Sequence, residues 1–319
     1  MWPMRLPLQD NELLSSWLSR NAVAMRMSAA VLMHDVRKKR GYEAISYIDH
    51  RVDSHVAEYL NLQSGVRIAS ILDGTVLRYR GCLLRAAPQK RNTAWVIPAR
   101  LTAAHNGLGY SICPSCLAED ESPYYRVSWL LALTPICQKH SSYLRSTCQK
   151  CGARIFPWGA GFNLQTVAVC HKCYHCGADY RHQTVRQSRD QELNQYVQQL
   201  GCLSNGRSDV GGLNDFYNPI EYFEVLHGLI RLMFTRSRYG RLAEAAAIEF
   251  GEKIAELNTG GRLFELLTPE HRAGILGVTR QMISSDLSRV AKVFSIAESM
   301  KPRYRFDHVH RPAWLKSEF

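Results

Sequence analysis

The sequence has no run of the ~18 to 20 unbroken apolar residues that a membrane-crossing helix requires, so no spanning segment is expected. Its opening residues, Met1 to Leu8, show no basic region followed by an apolar stretch, and a secretory signal is not expected either. The chain is therefore expected to be cytoplasmic. Several patterns that mark catalysis are also missing. There is no GxxxxGK(S/T) phosphate loop, no GxGxxG turn, no HExxH helix and no convincing Ser/His/Asp setting. Glu221, Glu224, Glu244 and Glu249 read as helix-surface residues more than as a Mg2+-binding set, so the chain is not expected to be an enzyme. Acid is scarce too: 28 Asp and Glu stand against 40 Lys and Arg, a formal net charge of +12 over 319 residues. That excess suits a polyanionic partner, most simply nucleic acid. With 46% hydrophobic and 21% charged residues, the composition excludes wholesale disorder.

Cysteine is nearly absent from most of the chain. Cys82 and Cys202 stand alone, and the other eight of the ten fall between Cys113 and Cys176. In a reducing compartment such a cluster points to metal more than to disulfides. It divides the chain into three parts, 1–105, 106–185 and 186–319.

In the middle part, Cys113-Pro114-Ser115-Cys116 is followed by Cys137-Gln138-Lys139-His140, then Cys148-Gln149-Lys150-Cys151-Gly152, then Cys173-Tyr174-His175-Cys176-Gly177. Two ligands separated by two residues can grip one ion, because the tight turn between them faces both donors inward. Glycine after the second cysteine supplies the permissive backbone of that turn. Sequential pairing gives Cys113, Cys116, Cys137 and His140 for one ion, and Cys148, Cys151, Cys173 and Cys176 for the other. Spacing does not fix connectivity, so an interleaved arrangement stays open, and so does a knuckle from Cys170 and Cys173. The donor sets suit zinc. With four protein ligands each, the two Zn2+ ions have no open position for water or substrate and are expected to be structural. The redox reading of CxxC needs a thioredoxin-like context that the sequence does not offer. His171, His175 and His182 are read as bystanders.

The flanking parts carry helical periodicity. Asp10 or Asn11 can cap a helix bearing Leu13, Leu14, Trp17 and Leu18. A second pattern, Ala29, Leu32, Met33 and Val36, runs into the basic block Arg37-Lys38-Lys39-Arg40 before Gly41 stops it. Such a block is a solvated face or a phosphate contact. Short helices fit 52–62 and 66–72, with Gly65 and Gly74 as breaks. Beyond the cysteines, Pro219 to Arg241 places Phe223, Leu226, Leu229, Ile230 and Met233 at helix spacing. Thr268-Pro269-Glu270 reads as N-cap, first-turn proline and first-turn acid. A helix-turn-helix fits 268–290, with Gly277 at the turn and Thr279 capping the second helix. Arg280, Gln281, Ser284, Ser285 and Arg289 would then face a groove. An ordinary helical hairpin fits the same residues. The tail from Lys301 to Lys316 is basic and aromatic, and Arg303 and Arg305 suit contact with nucleic acid or a partner.

Two blocks in the right order resemble the TniQ family. One is Leu6-Pro7-Leu8 followed by Glu12-Leu13-Leu14-Ser15-Ser16-Trp17-Leu18-Ser19-Arg20. The other is the CPxC-L-A-E-D run, the Tyr-rich turn Pro123-Tyr124-Tyr125-Arg126, an apolar helix led by Trp129, then CxxH and the two CxxCG knuckles. The likeness covers roughly 5–185 and departs from the family at Cys170, a spare thiol, and at Gln138, where proline is common. It implies a mainly α fold with tandem zinc-knuckle or zinc-ribbon modules. An N-terminal helical domain (1–105), a central two-zinc region (106–185) and a C-terminal helical domain with the helix-turn-helix (186–319) would make up the chain. It also implies a target-selection adaptor of DNA transposition that meets the AAA+ regulator TnsC. The other partner would be an RNA-guided CRISPR effector of the Cascade type with its guide RNA. Alternatively, in a TnsD-like role, the chain would bind attachment-site DNA itself. A zinc-containing transcription regulator is a further reading, and a homodimer stays open.

Overall fold

The computed structural model describes residues 1–40, 48–88, 93–98, 109–157, 171–207, 218–234, 242–251 and 263–299. Among them the chain is mainly helical, with short 3-10 turns and isolated bridges but no sheet. No helix among these residues is long and apolar enough to cross a membrane.

Helix α1, Leu14–Ala24, is buried from Leu14 to Ala22. Its N-terminus departs from the expected local cap. Asp10 is exposed beside Arg78, and Asn11, in the left-handed region at φ 57°, turns its side chain to Ser128. The first amides find distant partners instead. Leu13 N–H donates to the Tyr125 carbonyl at 2.7 Å, Leu14 N–H to Gly74 at 2.7 Å, and Ser15 N–H to the Asp49 carboxylate at 2.8 Å. Orphan donors at a helix start need partners of some kind, and here tertiary structure supplies them. One turn on, Arg20 pairs with buried Glu12 at 2.6 Å and reaches Ser122, while Ser16 accepts from Tyr125 N–H. Helix α1 is thereby fastened to the segment that follows the first cysteine pair.

Helices α2 (Ala29–Arg40), α3 (Ser54–Ser64) and α4 (Ile68–Asp73) pack with α1 around Trp17, Leu18, Leu32, Val36, Leu60 and Ile71. Gly65 ends α3 in the left-handed conformation, φ 77°, which L side chains resist. Helix α5 is Pro114–Glu119. The apolar run led by Trp129 is a 3-10 turn, Val127–Leu130, and then extended chain, not a helix. Its Ile97–Leu130 and Trp95–Ala132 backbone bonds run to another segment and compete with helical ones.

The C-terminal part consists of α6 (Gln191–Ser204), α7 (Pro219–Phe234), α8 (Leu242–Phe250), α9 (Pro269–Ser284) and α10 (Leu287–Ser299). The predicted apolar stripe of α7, Phe223 through Met233, is buried. One hydrophobic core runs from Leu13 through the cysteine-bearing segment to Val293. Arg272 of α9, 1% exposed, sits inside it and donates to the Leu131 and Ala132 carbonyls. Burial lowers its pKa to about 10.

The helix-turn-helix expected at Gly277 is not formed there. Helix α9 runs unbroken through Gly277, whose absent Cβ would meet nothing within 4 Å, and Thr279 donates back to the Ile275 carbonyl instead of capping. Glycine costs a helix only about 1 kcal/mol, too little to break one whose apolar face is buried. The break falls at Ser285-Asp286, where the Asp286 carboxylate accepts from Arg289 N–H at 2.8 Å and starts α10. The start of α9 is as the sequence indicates, with the Thr268 hydroxyl accepting from His271 N–H.

Candidate metal centres

Cys113 occupies the N-cap position of α5, Pro114 opens the helix, and Cys116 lies in its first turn. The opposing pair sits in a tight loop. Cys137 N–H donates to Ser142 O at 2.7 Å and Ser141 N–H to Cys137 O at 2.8 Å, with Ser141 left-handed at φ 49°. The loop brings the Cys116 and Cys137 sulfurs to 3.6 Å, and the His140 Nδ1 to 3.5, 3.3 and 3.5 Å from Cys113, Cys116 and Cys137.

The second set is built from two matching loops. Cys148 N–H bonds Ala153 O at 2.7 Å and Gly152 N–H bonds Cys148 O at 2.8 Å; in the other loop Cys173 N–H bonds Ala178 O at 2.8 Å and Gly177 N–H bonds Cys173 O at 2.9 Å. Gly152 and Gly177 have φ 71° and 69°, the conformation for which glycine was expected after each pair. Cys148 lies 3.7 Å from Cys176, and Cys151 lies 3.7 Å from Cys173. Cys170, the alternative ligand, lies outside the described residues.

Within each set the four donor atoms all lie within 4.8 Å of one another. A tetrahedral ion with sulfur ligands at ~2.3 Å has sulfur–sulfur edges of about 3.8 Å. The observed spacings fit, and the grouping is sequential. The chemistry also asks for a cation. Contact with Cys113, then with Cys137, pushes the Cys116 thiol well above its ordinary range, because neighbouring thiolates repel unless a positive charge sits among them. Each set can hold one metal ion.

Groups behind the ligands fix them. His140 Nε2 lies 2.9 Å from the Glu119 carboxylate, which Lys139 also holds at 2.6 Å. The carboxylate selects the tautomer that leaves Nδ1 for the ion, and Lys139, then His140, hold Glu119 below the usual range. At the second set, Gln183 Nε2 reaches Cys148 Sγ at 3.5 Å. Gln138, the departure from the family pattern, spans from the first loop to the Val197 carbonyl of α6. It fills the space where a Cβ on Gly201 would come within 1.7 Å of its Nε2. Glu119, Ser141, Arg272 and Asp49 were not foreseen. Only the Glu three residues after Cys116 carried a signal, being close to the histidine's side of the helix.

The residues expected to contact nucleic acid are scattered. Arg37 to Arg40 form the last turn of α2, their side chains outside the described residues, as are Arg303 and Arg305. Arg280 pairs with Glu192 of α6 at 2.5 Å. Arg289 pairs with Glu249 at 3.1 Å and lies over the Phe250 ring. Gln281 and Ser285 are half-buried and bonded to each other through the Gln281 carbonyl, and Ser284 is exposed.

Residues 3–144 match the family model TniQ, so the chain carries a TniQ domain there, one that implies a transposition-associated role in target selection. The matched segment spans α1 through all four ligands of the first set and ends before the second. No curated protein matches the chain.

Proposed function

We propose, from the TniQ domain at residues 3–144, that the chain is a non-catalytic adaptor that hands a chosen target site to the AAA+ regulator TnsC. In this reading the mark at the target is a Cascade-type effector with guide RNA. Both cysteine sets hold structural zinc, and the N-terminal helices with their basic block meet TnsC. The observation that carries the proposal is the family match. The buried Glu12, Ser16 and Arg20 that fasten α1 support it, because they turn the family-like N-terminal block into a fixed platform. The alternative, direct reading of an attachment site, is implied by the same family. Arg280 and Arg289, expected at its recognition surface, are engaged with Glu192 and Glu249.

The test is affinity purification of the full chain from cells that hold the whole element, with sequencing of bound nucleic acid. Recovery of TnsC together with guide RNA and effector subunits is expected. Recovery of one chromosomal DNA sequence without guide RNA would replace the RNA-guided role with the attachment-site role. Recovery without TnsC would remove the adaptor role.

A further inference from the structure

Positive charge is unevenly spread. Residues 145–189 hold seven basic side chains, Arg145, Lys150, Arg154, Lys172, Arg181, Arg186 and Arg189, against the single acid Asp179. This is half of the chain's formal excess in about one-seventh of its length. Four thiolates with a divalent ion would remove two of those charges, which still leaves the segment strongly positive. Asp179 is occupied by Arg181 at 2.7 Å. Lys150, Lys172, Arg186 and Arg189 are exposed, and among the described residues none of them pairs with a carboxylate. Elsewhere several cations are matched, Arg20 with Glu12, Arg126 with Asp120, Arg280 with Glu192 and Lys292 with Glu249. Exposed Arg26, Arg67 and Arg80 pair with no carboxylate among the described residues but are set far apart in the sequence.

The backbone sets these groups in order. Residues 183–189 run antiparallel to 141–149, with Ser142 opposite Gln187, Tyr143 N–H on Arg186 O at 2.9 Å and Ser188 N–H on Ser141 O at 2.8 Å. At the other end the Arg145 guanidinium donates to Thr184 O at 2.7 and 2.9 Å, and Thr184 N–H donates to Gln149 Oε1 at 3.0 Å. Lys150, next to Gln149, therefore lies near Thr184, with Arg186 and Arg189 further along the same ribbon. At ~3.3 Å per residue the basic groups spread over about 16 Å of the ribbon, with Arg186 and Arg189 on its alternate sides, a span that passes several phosphates of a duplex. Arg186 is held over the Tyr143 ring at 5.2 Å, positioned without a counter-charge. Among the described residues, the large exposed apolar ones, such as Val31, Leu62, Ile68, Ile248 and Leu263, all lie outside this segment. A protein interface draws on an apolar centre, whereas phosphate contact needs spaced cations and polar donors.

We propose that the second metal module, with the ribbon 183–189, binds the phosphodiester backbone of nucleic acid without reading its bases. The inference rests on charge and geometry and does not depend on the adaptor reading. Its test is fluorescence anisotropy of the full-length, metal-loaded protein with labelled duplex DNA and with single-stranded RNA of equal length, between about 50 and 200 mM salt. The variant carries Lys150→Gln, Lys172→Gln, Arg186→Gln and Arg189→Gln. Its control carries the same charge loss at exposed arginines elsewhere, Arg5→Gln, Arg26→Gln, Arg67→Gln and Arg80→Gln. The variant should lower the slope of log affinity against log salt by about 3.6 on the duplex, or about 2.8 on the single strand, if all four contact phosphate. The control should lower it by less than about 1. Whichever nucleic acid shows the larger change is the source of the backbone. Equal losses in variant and control, or an unchanged variant, would overturn the proposal, as would tighter binding to polyglutamate than to either nucleic acid. Should the quadruple variant lose its metal by elemental analysis, the two doubles, Lys150 with Lys172 and Arg186 with Arg189, are each expected to lower the duplex slope by about 1.8.

Discussion

The two ligand sets share a spacing rule and differ in where they sit. Cys113, Cys116 and Cys137 are buried and part of the core that runs from Leu13 to Val293. The second set keeps Cys148 and Cys173 buried, but Cys151 is exposed and Cys176 half-buried. The first lies among α5, α6 and the segment that receives Arg272, so several elements depend on its shape. The second reaches the same core through Cys148 and Cys173, but its loops also carry exposed Lys150 and Lys172. Two sites with the same chemistry can therefore serve different ends, one internal and one at the surface, according to what packs around them.

Cysteine replacement should break this comparison most visibly. Zinc in small sites contributes about 10 to 16 kcal/mol of folding free energy, which equals or exceeds the ~5 to 15 kcal/mol of a whole domain. Cys116→Ser should give insoluble or protease-sensitive protein. Cys151→Ser should lose one ion by elemental analysis yet keep most of the helical signal and a cooperative melt. If both variants collapse alike, the two sites are equally internal.

Arg272→Ala should destabilise by about 3 kcal/mol, since it opens a buried space and takes the guanidinium donor from the Ala132 carbonyl, while Leu131 keeps Thr134. Arg272→Met, which retains much of the volume, should recover part of that in denaturant unfolding. Glu119→Gln should weaken the first site by about ten- to a hundredfold in competition with a chromogenic chelator, with the second site unchanged. The smallest effect concerns Asp49, which accepts from Ser15 N–H and from the Tyr110 hydroxyl just before the first ligands. Burial raises its pKa from 3.8 to about 6. A carboxyl raised in the folded state contributes stability below its unfolded value and loses it as pH rises through the folded value. The native state should lose on the order of 1 kcal/mol from this group between pH 5 and 7, and Asp49→Asn should flatten that slope in unfolding titrations.

Much of the metal chemistry was legible because ligand spacing is a local property. Gly152 and Gly177 announced their turns, whereas Ser141 adopts the same left-handed geometry with no such signal. Thr268-Pro269-Glu270 marked a helix start for the same local reason. The misreadings share a cause. Asp10 and Asn11 looked like caps because the partners that satisfy α1, Gly74, Asp49 and Tyr125, are far along the chain. Gly277 looked like a corner, but burial of Ala273, Leu276 and Val278 on either side outweighs its propensity, while the true signal, Asp286, stood nine residues later. Nothing local distinguishes Arg272, deep in the core, from a surface arginine.

Gln138 stands in the sequence between Cys137 and His140, and its carboxamide fills the space above Gly201. Helix α6 can close over the first loop only once that loop has its folded outline. During synthesis, residues 113–140 emerge well before 191–204, so the ion can be captured while the later helices are still being made. Order of translation and order of assembly then coincide, and a chain that misses its ion early would present α6 with no seat to close upon.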